Sequence, residues 1–237
     1  MWSHILILKS LVERLDPQSM IVSVFSATMI LSLVCSLSVQ QGHAGGTVAD
    51  SAQQIEPLQT GQQAPAFVVR SADDESFSFN PETLARPVVI VTFRGGWCPY
   101  CNMHLSELRT IVPEISAMGI DVLFLSGDRP ELLYASLAAN TQEAIADLDY
   151  RIYSDADAQA AIALGIAFRA SDRTINRRHE KGQDIGESSM GRHGVLPVPA
   201  VFAIDQSGVI RFSFVEANYK VRLPADELLA VAKELVQ

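Results

Sequence analysis

The sequence predicts an α/β fold in which a central mixed β-sheet is flanked by helices on both faces. Three observations carry this. Val88–Phe93 is a run of apolar, mostly β-branched residues with no polar face, as a central strand buried on both sides requires. Short apolar runs then alternate with stretches of helical spacing, the order expected of strands laid side by side with helices between them. Two strands and an amphipathic helix close the chain.

Taking the elements in order, Ala66–Arg70 and Ser76–Phe79 flank the polar turn Asp73-Asp74-Glu75 and read as an N-terminal β-hairpin extension. Pro87 precedes the central strand. Pro99 to Met118 places Met103, Leu105, Leu108, Ile111, Val112 and Ile115 at helical spacing, with Pro113 expected to kink the helix. Ile120–Leu125 is a second buried strand. Pro130 opens another helix, at the first-turn position where its missing N–H costs nothing. Arg151–Tyr153 is a short strand, and Ala156–Leu164 a helix ended by Gly165. Val201–Ile204 and Val209–Val215 are joined by Asp205-Gln206-Ser207-Gly208, a hairpin turn. Pro224–Val236 is the closing helix. Residues 171–194 fit no element and are expected as a basic surface insertion carrying Arg173, Arg177, Arg178, Lys181 and Arg192.

Composition narrows the function classes. The chain has 237 residues, enough for one sizeable domain, and its hydrophobic content of 48% supports a full core. A net charge of −9 offers no basic footprint for a phosphate backbone, which argues against a nucleic-acid partner. Three cysteines are too few for a disulfide scaffold. No cofactor is called for beyond the thiols themselves.

Residues 1–44 are expected to form an export signal or a membrane anchor. Met20–Val39 carries no charge, and Gly42 and Ala44 are small residues suited to signal-peptidase cleavage after Ala44. An uncleaved anchor at 20–39 is the rival, since about 20 apolar residues span a bilayer, and a buried core helix is the third reading. Glu13 and Asp16 in a long upstream stretch are unusual for a signal. Cys35 lies inside the apolar run and is read as a passive apolar residue. The expected location is therefore extracytoplasmic, periplasm-like, or else membrane-anchored. Residues 45–60 are expected as a flexible lead-in, and 61–237 as the folded domain.

The chemistry is concentrated in Phe93-Arg-Gly-Gly-Trp-Cys-Pro-Tyr-Cys-Asn-Met-His104. A buried strand ends, two glycines turn the chain, and two cysteines open a helix. The unsatisfied N–H groups and the dipole of a helix N-terminus favour negative charge. Cys98 is therefore expected as an exposed thiolate nucleophile, with a pKa in the range of about 3.5–7.5 found at such positions. Cys101, one turn further in, is the resolving thiol. Two other readings stand beside this one: a structural pair, and a metal clip in which His104 extends the motif to C-x-x-C-x-x-H, completed by His179 or His193 and suited to zinc or copper. As a metal-binding chaperone or sensor, the chain would use Cys98, Cys101 and His104. Otherwise His104 is read as a surface helix residue. Pro199 in Leu196-Pro-Val-Pro-Ala-Val-Phe202 directly precedes a buried strand, and the Val198–Pro199 peptide is expected to be cis and to face the dithiol. Trp97, Pro99, Tyr100, Val198 and Pro199 would then line the substrate groove.

Trp97-Cys-Pro-Tyr-Cys101 after a strand, with Val198-Pro199 before a later one, resembles the thioredoxin-like superfamily. Gly61-Gln-Gln-Ala-Pro-Ala-Phe67 and Phe202-Ala-Ile-Asp205 with Gly208 are similar to its redoxin branch, the AhpC/TSA and bacterioferritin-comigratory peroxiredoxins, over roughly residues 58–236. The resemblance implies a thioredoxin-like fold, a Cys98–Cys101 dithiol–disulfide cycle acting on disulfides or peroxides, and a thioredoxin-like dithiol donor as partner. The chain departs from the pattern at three places. Gly95 stands where peroxiredoxins keep Thr or Ser, Pro199 where they keep arginine, and Thr92 where thioredoxins keep a buried Asp. Arg94, Arg169 and Arg173 are candidates to support a peroxide or oxyanion in place of the missing arginine.

Overall fold

The computed structural model describes residues 46–237. The expected export segment and Cys35 lie outside the described residues. Seven strands form one mixed sheet: β1 (Phe67–Arg70), β2 (Ser76–Phe79), β3 (Val88–Phe93), β4 (Asp121–Ser126), β5 (Arg151–Ser154), β8 (Ala200–Ile204) and β9 (Ile210–Val215), in the order β2-β1-β5-β4-β3-β8-β9. β3, β4 and β5 are parallel; the hairpins at the two edges are antiparallel. β6 (Ala167–Arg169) and β7 (Val195–Pro197) form a separate two-stranded ribbon.

All six residues of β3 are buried, and they alternate between two cores. Val89, Val91 and Phe93 join Phe124, Leu105, Leu108 and Leu228 on one face; Val88 and Ile90 join Leu123, Leu125, Leu164 and Phe202 on the other. This is the period-two consequence of a strand covered on both sides.

The helices are α1 (Pro99–Leu108), α2 (Val112–Ala117), α3 (Ala139–Ile145), α4 (Gln159–Ala163), α5 (Asp172–Glu180), α6 (Ser189–His193) and α7 (Ala225–Leu235). The single helix expected over 99–118 is two, because Pro113 lacks the N–H and crowds the preceding turn; α1 stops at Leu108 and α2 restarts with Pro113 in its first turn. The Pro130 helix is only a 3₁₀ turn, Pro130–Leu132. α4 begins three residues later than expected. The Asp155 carboxylate accepts the N–H groups of Ala160 and Ala161 at 2.9 Å each, and Ala158 takes a left-handed conformation, so the helix starts inside this cap.

Two expectations of irregular chain are corrected. Residues 171–194 form α5 and α6, started by the Ser171 and Ser188 hydroxyls, which accept from Thr174 and Gly191. Buried Ile185 and Met190 hold this segment to Leu196, with Trp97 packed against them. Residues 46–60 are also in register with the fold: Ala49 exchanges backbone hydrogen bonds with Ala167 (3.0 Å) and Arg169 (2.8 Å), and Leu58 donates to Leu164. Among the described residues no helix is long and apolar enough to cross a membrane.

Candidate active site

β3 delivers the chain to the site at Phe93. Gly95 then takes φ +148°, and a Cβ there would lie 2.6 Å from Asp128 Oδ1 and 2.4 Å from Trp97 Nε1. Only glycine fits this turn. Cys98 caps α1 in an extended conformation, with Pro99 at the first helical position, and the Cys98 carbonyl accepts from Cys101 (3.0 Å) and Asn102 (3.1 Å).

Two buried side chains hold this loop. Asp128 accepts from Gly96 N–H at 2.7 Å and from the Ser136 hydroxyl at 2.9 Å. Burial pushes its carboxyl up to about 6 against these hydrogen bonds. The Asn102 amide donates to Gly96 O (2.6 Å) and Cys98 O (3.0 Å) and accepts from Ala138 N–H (2.8 Å). Nothing in the sequence around Asp128 or Asn102 marks them, beyond the place of Asn102 in the first turn after Cys101.

The two sulfurs are free thiols within hydrogen-bond reach of each other. The expected exposure of Cys98 is corrected: it is 2% exposed and shares a core cluster with Cys101, Leu105 and Leu108, with Trp97 and Tyr100 packed against it. Its thiol is nevertheless pulled down to about 6. The Cys101 thiol donates to its sulfur, the Cys101 N–H adds a second bond, and the guanidiniums of Arg222 and Arg94 favour the anion, together outweighing burial. Cys101 is fully buried and moves the other way, well above the ordinary thiol value, because of burial and its bond to Cys98. The arrangement separates an ionised nucleophile from a protonated neighbour one turn away.

Arg222 was invisible in the sequence. It follows β9, 121 residues from Cys101, and its Nη2 lies 3.4 Å from Cys101 Sγ while Nη1 donates to the carbonyls of Tyr219 and Val221. Arg94 stacks on Tyr219 (4.8 Å), Phe168 (5.8 Å) and Trp97 (6.0 Å). The other two arginines proposed for peroxide support lie elsewhere: Arg169 is exposed on β6, 3.7 Å from Asp50, and Arg173 is exposed on α5. α5 instead brings Arg178 over the Trp97 ring at 4.7 Å.

Thr92 takes a structural role where a carboxylate would stand. Its hydroxyl donates to Val198 O (3.1 Å) and accepts from Ala200 N–H (3.0 Å), fastening the proline loop to β3. Val198 and Pro199 are buried, and Pro199 borders the same small interstice as Thr92, His104 and Arg222. The expected cis bond at Pro199 is corrected, since every peptide among the described residues is trans. Trp97 and Pro99 line an open groove of about 700 Å³ with Met103, Ser136 and Gln183, and Tyr100 meets Tyr219 edge-on at 5.8 Å.

His104 is not a surface residue. It is buried, its Nε2 lies 3.1 Å from Leu223 O, and burial and the Arg222 charge hold it neutral with a pKa of about 4. A neutral ring bonded to a carbonyl carries its proton on Nε2, so that nitrogen is not free for a metal. His179 and His193 are exposed on α5 and α6. Among the described residues no three His, Cys, Asp or Glu side chains are grouped to hold a metal.

Thiol-disulfide oxidoreductase ResA of Bacillus anthracis is 23% identical over 155 residues, covering 65% of this chain and 69% of that protein. Putative peroxiredoxin bcp of Haemophilus influenzae is 27% identical over 112 residues, 47% of this chain and 68% of that protein. Reduced Prx3 of Vibrio vulnificus, solved in complex with H2O2, superimposes with a TM-score of 0.56 at 19% identity, covering 74% of this chain and 99% of that one, and so shows the shared fold. The AhpC/TSA family model matches residues 60–213, from the lead into β1 through most of β9 with the dithiol loop between them, and the chain therefore belongs to the AhpC/TSA family.

Proposed function

We propose that the protein is a thiol–disulfide oxidoreductase in which Cys98 attacks and Cys101 resolves. The opposed acidities of the two sulfurs carry this reading: an anionic Cys98 beside a protonated Cys101. The Cys98 thiolate attacks a substrate disulfide, forms a mixed disulfide and expels one thiolate, which takes a proton from solvent. Cys101 then loses its proton and attacks the Cys98 sulfur. The second substrate thiolate leaves, and two electrons have passed from the dithiol to the substrate. Arg222, at 3.4 Å from Cys101 Sγ, stabilises the negative charge as Cys101 ionises. A thioredoxin-like dithiol donor would return the pair to its reduced state. In this reading Trp97, Pro99 and Tyr100 form the docking surface, and the buried Val198 and Pro199 support the site from beneath.

Peroxide reduction is a second reading, favoured by the similarity to a bcp peroxiredoxin. The Cys98 thiolate would attack one peroxide oxygen and become a sulfenic acid as the O–O bond breaks and the other oxygen leaves as an alcohol or water, and condensation with Cys101 would release a water and form the disulfide. The turn at Gly95 has no room for the hydroxyl side chain the family keeps there, which supports the disulfide reading first. Stopped-flow measurement of Trp97 fluorescence separates them. Fast reaction with a neutral disulfide, and slow reaction with micromolar hydrogen peroxide, is expected; the reverse order removes the first reading. Cys98→Ser should abolish both, and Cys101→Ser should accumulate the mixed disulfide, visible by mass.

Residues 1–44 are proposed to direct export, on the uncharged run Met20–Val39 and the small residues before Gly45. N-terminal sequencing of the mature protein should find Gly45 first.

A further inference from the structure

Three arginines gather at Trp97 and the dithiol without a carboxylate partner. The side chains of Arg94, Arg178 and Arg222 are half-buried, and the Nε of each is fully buried with no hydrogen-bond acceptor. None of the three forms an ion pair with a carboxylate among the described residues. Other half-buried arginines do: Arg129 is paired with Asp184 at 2.8 Å and Arg151 with Asp121 at 2.9 Å. Removing a guanidinium from water without a counter-charge is costly. The protein accepts this cost three times along the dithiol loop: Arg178 and Arg94 lie over Trp97, and Arg222 lies on Cys101.

The site cannot neutralise itself. The Cys98 thiolate offers one negative charge to three cations, and in the disulfide state it offers none. The nearby carboxyl of Asp128 is engaged with Gly96 and Ser136, and burial raises its pKa. The surplus is local, since the whole chain carries −9. A positive recess in an acidic protein concentrates anions where the reactive sulfur lies. Arg222 is already engaged, with Nη1 on two carbonyls and Nη2 on Cys101, and Arg178 gives Nη1 to Gln183 Oε1 at 3.0 Å, so the remaining Nη groups of ring-stacked Arg94 and Arg178 are the ones left to bond a carboxylate.

We infer that Arg94 and Arg178, backed by the charge of Arg222, form a carboxylate-binding cradle that selects disulfides bearing carboxylates close to the sulfur–sulfur bond. The inference rests on the oxidoreductase reading and names its substrate class. It also gives 171–194 a purpose, because α5 supplies Arg178.

The test compares three small disulfides with two-carbon arms: 3,3′-dithiodipropionate (acidic), 2-hydroxyethyl disulfide (neutral) and cystamine (cationic). Each kcat/KM is divided by that disulfide's rate with free dithiothreitol, which removes intrinsic reactivity. The acidic probe should exceed the neutral one by about tenfold or more at low salt, as one or two charge-assisted bonds imply, and the cationic probe should rank last. Raising the salt should compress the ratio. Arg178→Gln and Arg94→Gln should each reduce it several-fold, and Arg178→Lys should restore part of it. Equal normalised rates for the three probes, or a ratio indifferent to salt in the unmodified protein, would overturn the cradle while leaving the oxidoreductase intact. Calorimetry on Cys98→Ser separates the opposite failure. Saturable, salt-sensitive binding of 3,3′-dithiodipropionate, in a protein whose unmodified form reduces no disulfide, would keep the cradle and remove the oxidoreductase.

Discussion

Cys98 and Cys101 are the same residue type in the same helical turn, and the fold gives them opposite acid–base behaviour. Cys98 ionises near pH 6, so the electrochemistry should bend there. Reduction of the disulfide takes up two protons below that pH and one above it. The midpoint potential should therefore fall by about 59 mV per pH unit below pH 6 and by about 30 mV above it, measured by equilibration against dithiothreitol across pH 5–8. Linkage gives the matching stability. Because the folded value lies below that of a free thiol, reduced protein has the full stabilisation above about pH 8.5 and loses it as pH falls through about 6. Denaturant titrations of reduced and disulfide forms should show this pH dependence only in the reduced one. Asp128 has the opposite sign: its raised carboxyl pKa favours the fold at low pH, and the benefit is lost as pH rises through about 6. The dithiol was legible because its chemistry is local, two cysteines at fixed spacing after a strand. Arg222 and Asp128 were not, since their partners lie 121 and 32 residues away in sequence and no local pattern links them.

At the scale of elements, the loop Arg94–Cys98 is shaped by what it cannot contain. Gly95→Thr, which would restore the side chain the family keeps at this position, forces a Cβ into Asp128 and Trp97 at a positive φ. It should cost about 1–3 kcal/mol of stability, read as a lower denaturant midpoint. It should also slow alkylation of Cys98, as the Asp128–Gly96 bond is displaced. The strands of the main sheet were legible because runs such as Val88–Phe93 state their burial outright, whereas β6 and β7, three residues each, were not. α5 and α6 were missed because their stabilisation is tertiary. No residue of α5 is fully buried, and its sequence is polar but for Ile175; what holds it is the Arg178–Trp97 stack and the packing of Ile175 against the small core of Ile185 and Met190. The Ser171 cap three residues before Thr174 was the readable signal.

Across the whole molecule, the sheet separates two cores, and each depends on chain from a distant part of the sequence. The dithiol-side core is closed by α7, and the other is edged by residues 46–60, which bond along β6 and to Leu164. Deleting 46–58 should therefore destabilise the domain although it removes no strand of the main sheet. Losing the Ala49 and Leu58 hydrogen bonds and baring the apolar residues beneath should lower the melting temperature by roughly 5–10 °C for a domain of this size, as measured by calorimetry. Composition made this segment look like a linker; only its backbone pairing, which depends on where β6 lies, shows otherwise.

One consequence follows from the covering of Cys98. Acidity sets how often the sulfur is charged, but a nucleophile with 2% of its surface open meets a reagent only when its surroundings breathe. At pH 8, with ionisation complete, labelling by a series of ever larger maleimides should level off at a common rate, independent of reagent concentration. That plateau would be the opening frequency of the Trp97–Tyr100 cover, making the sulfur a clock for the motion that admits its substrate.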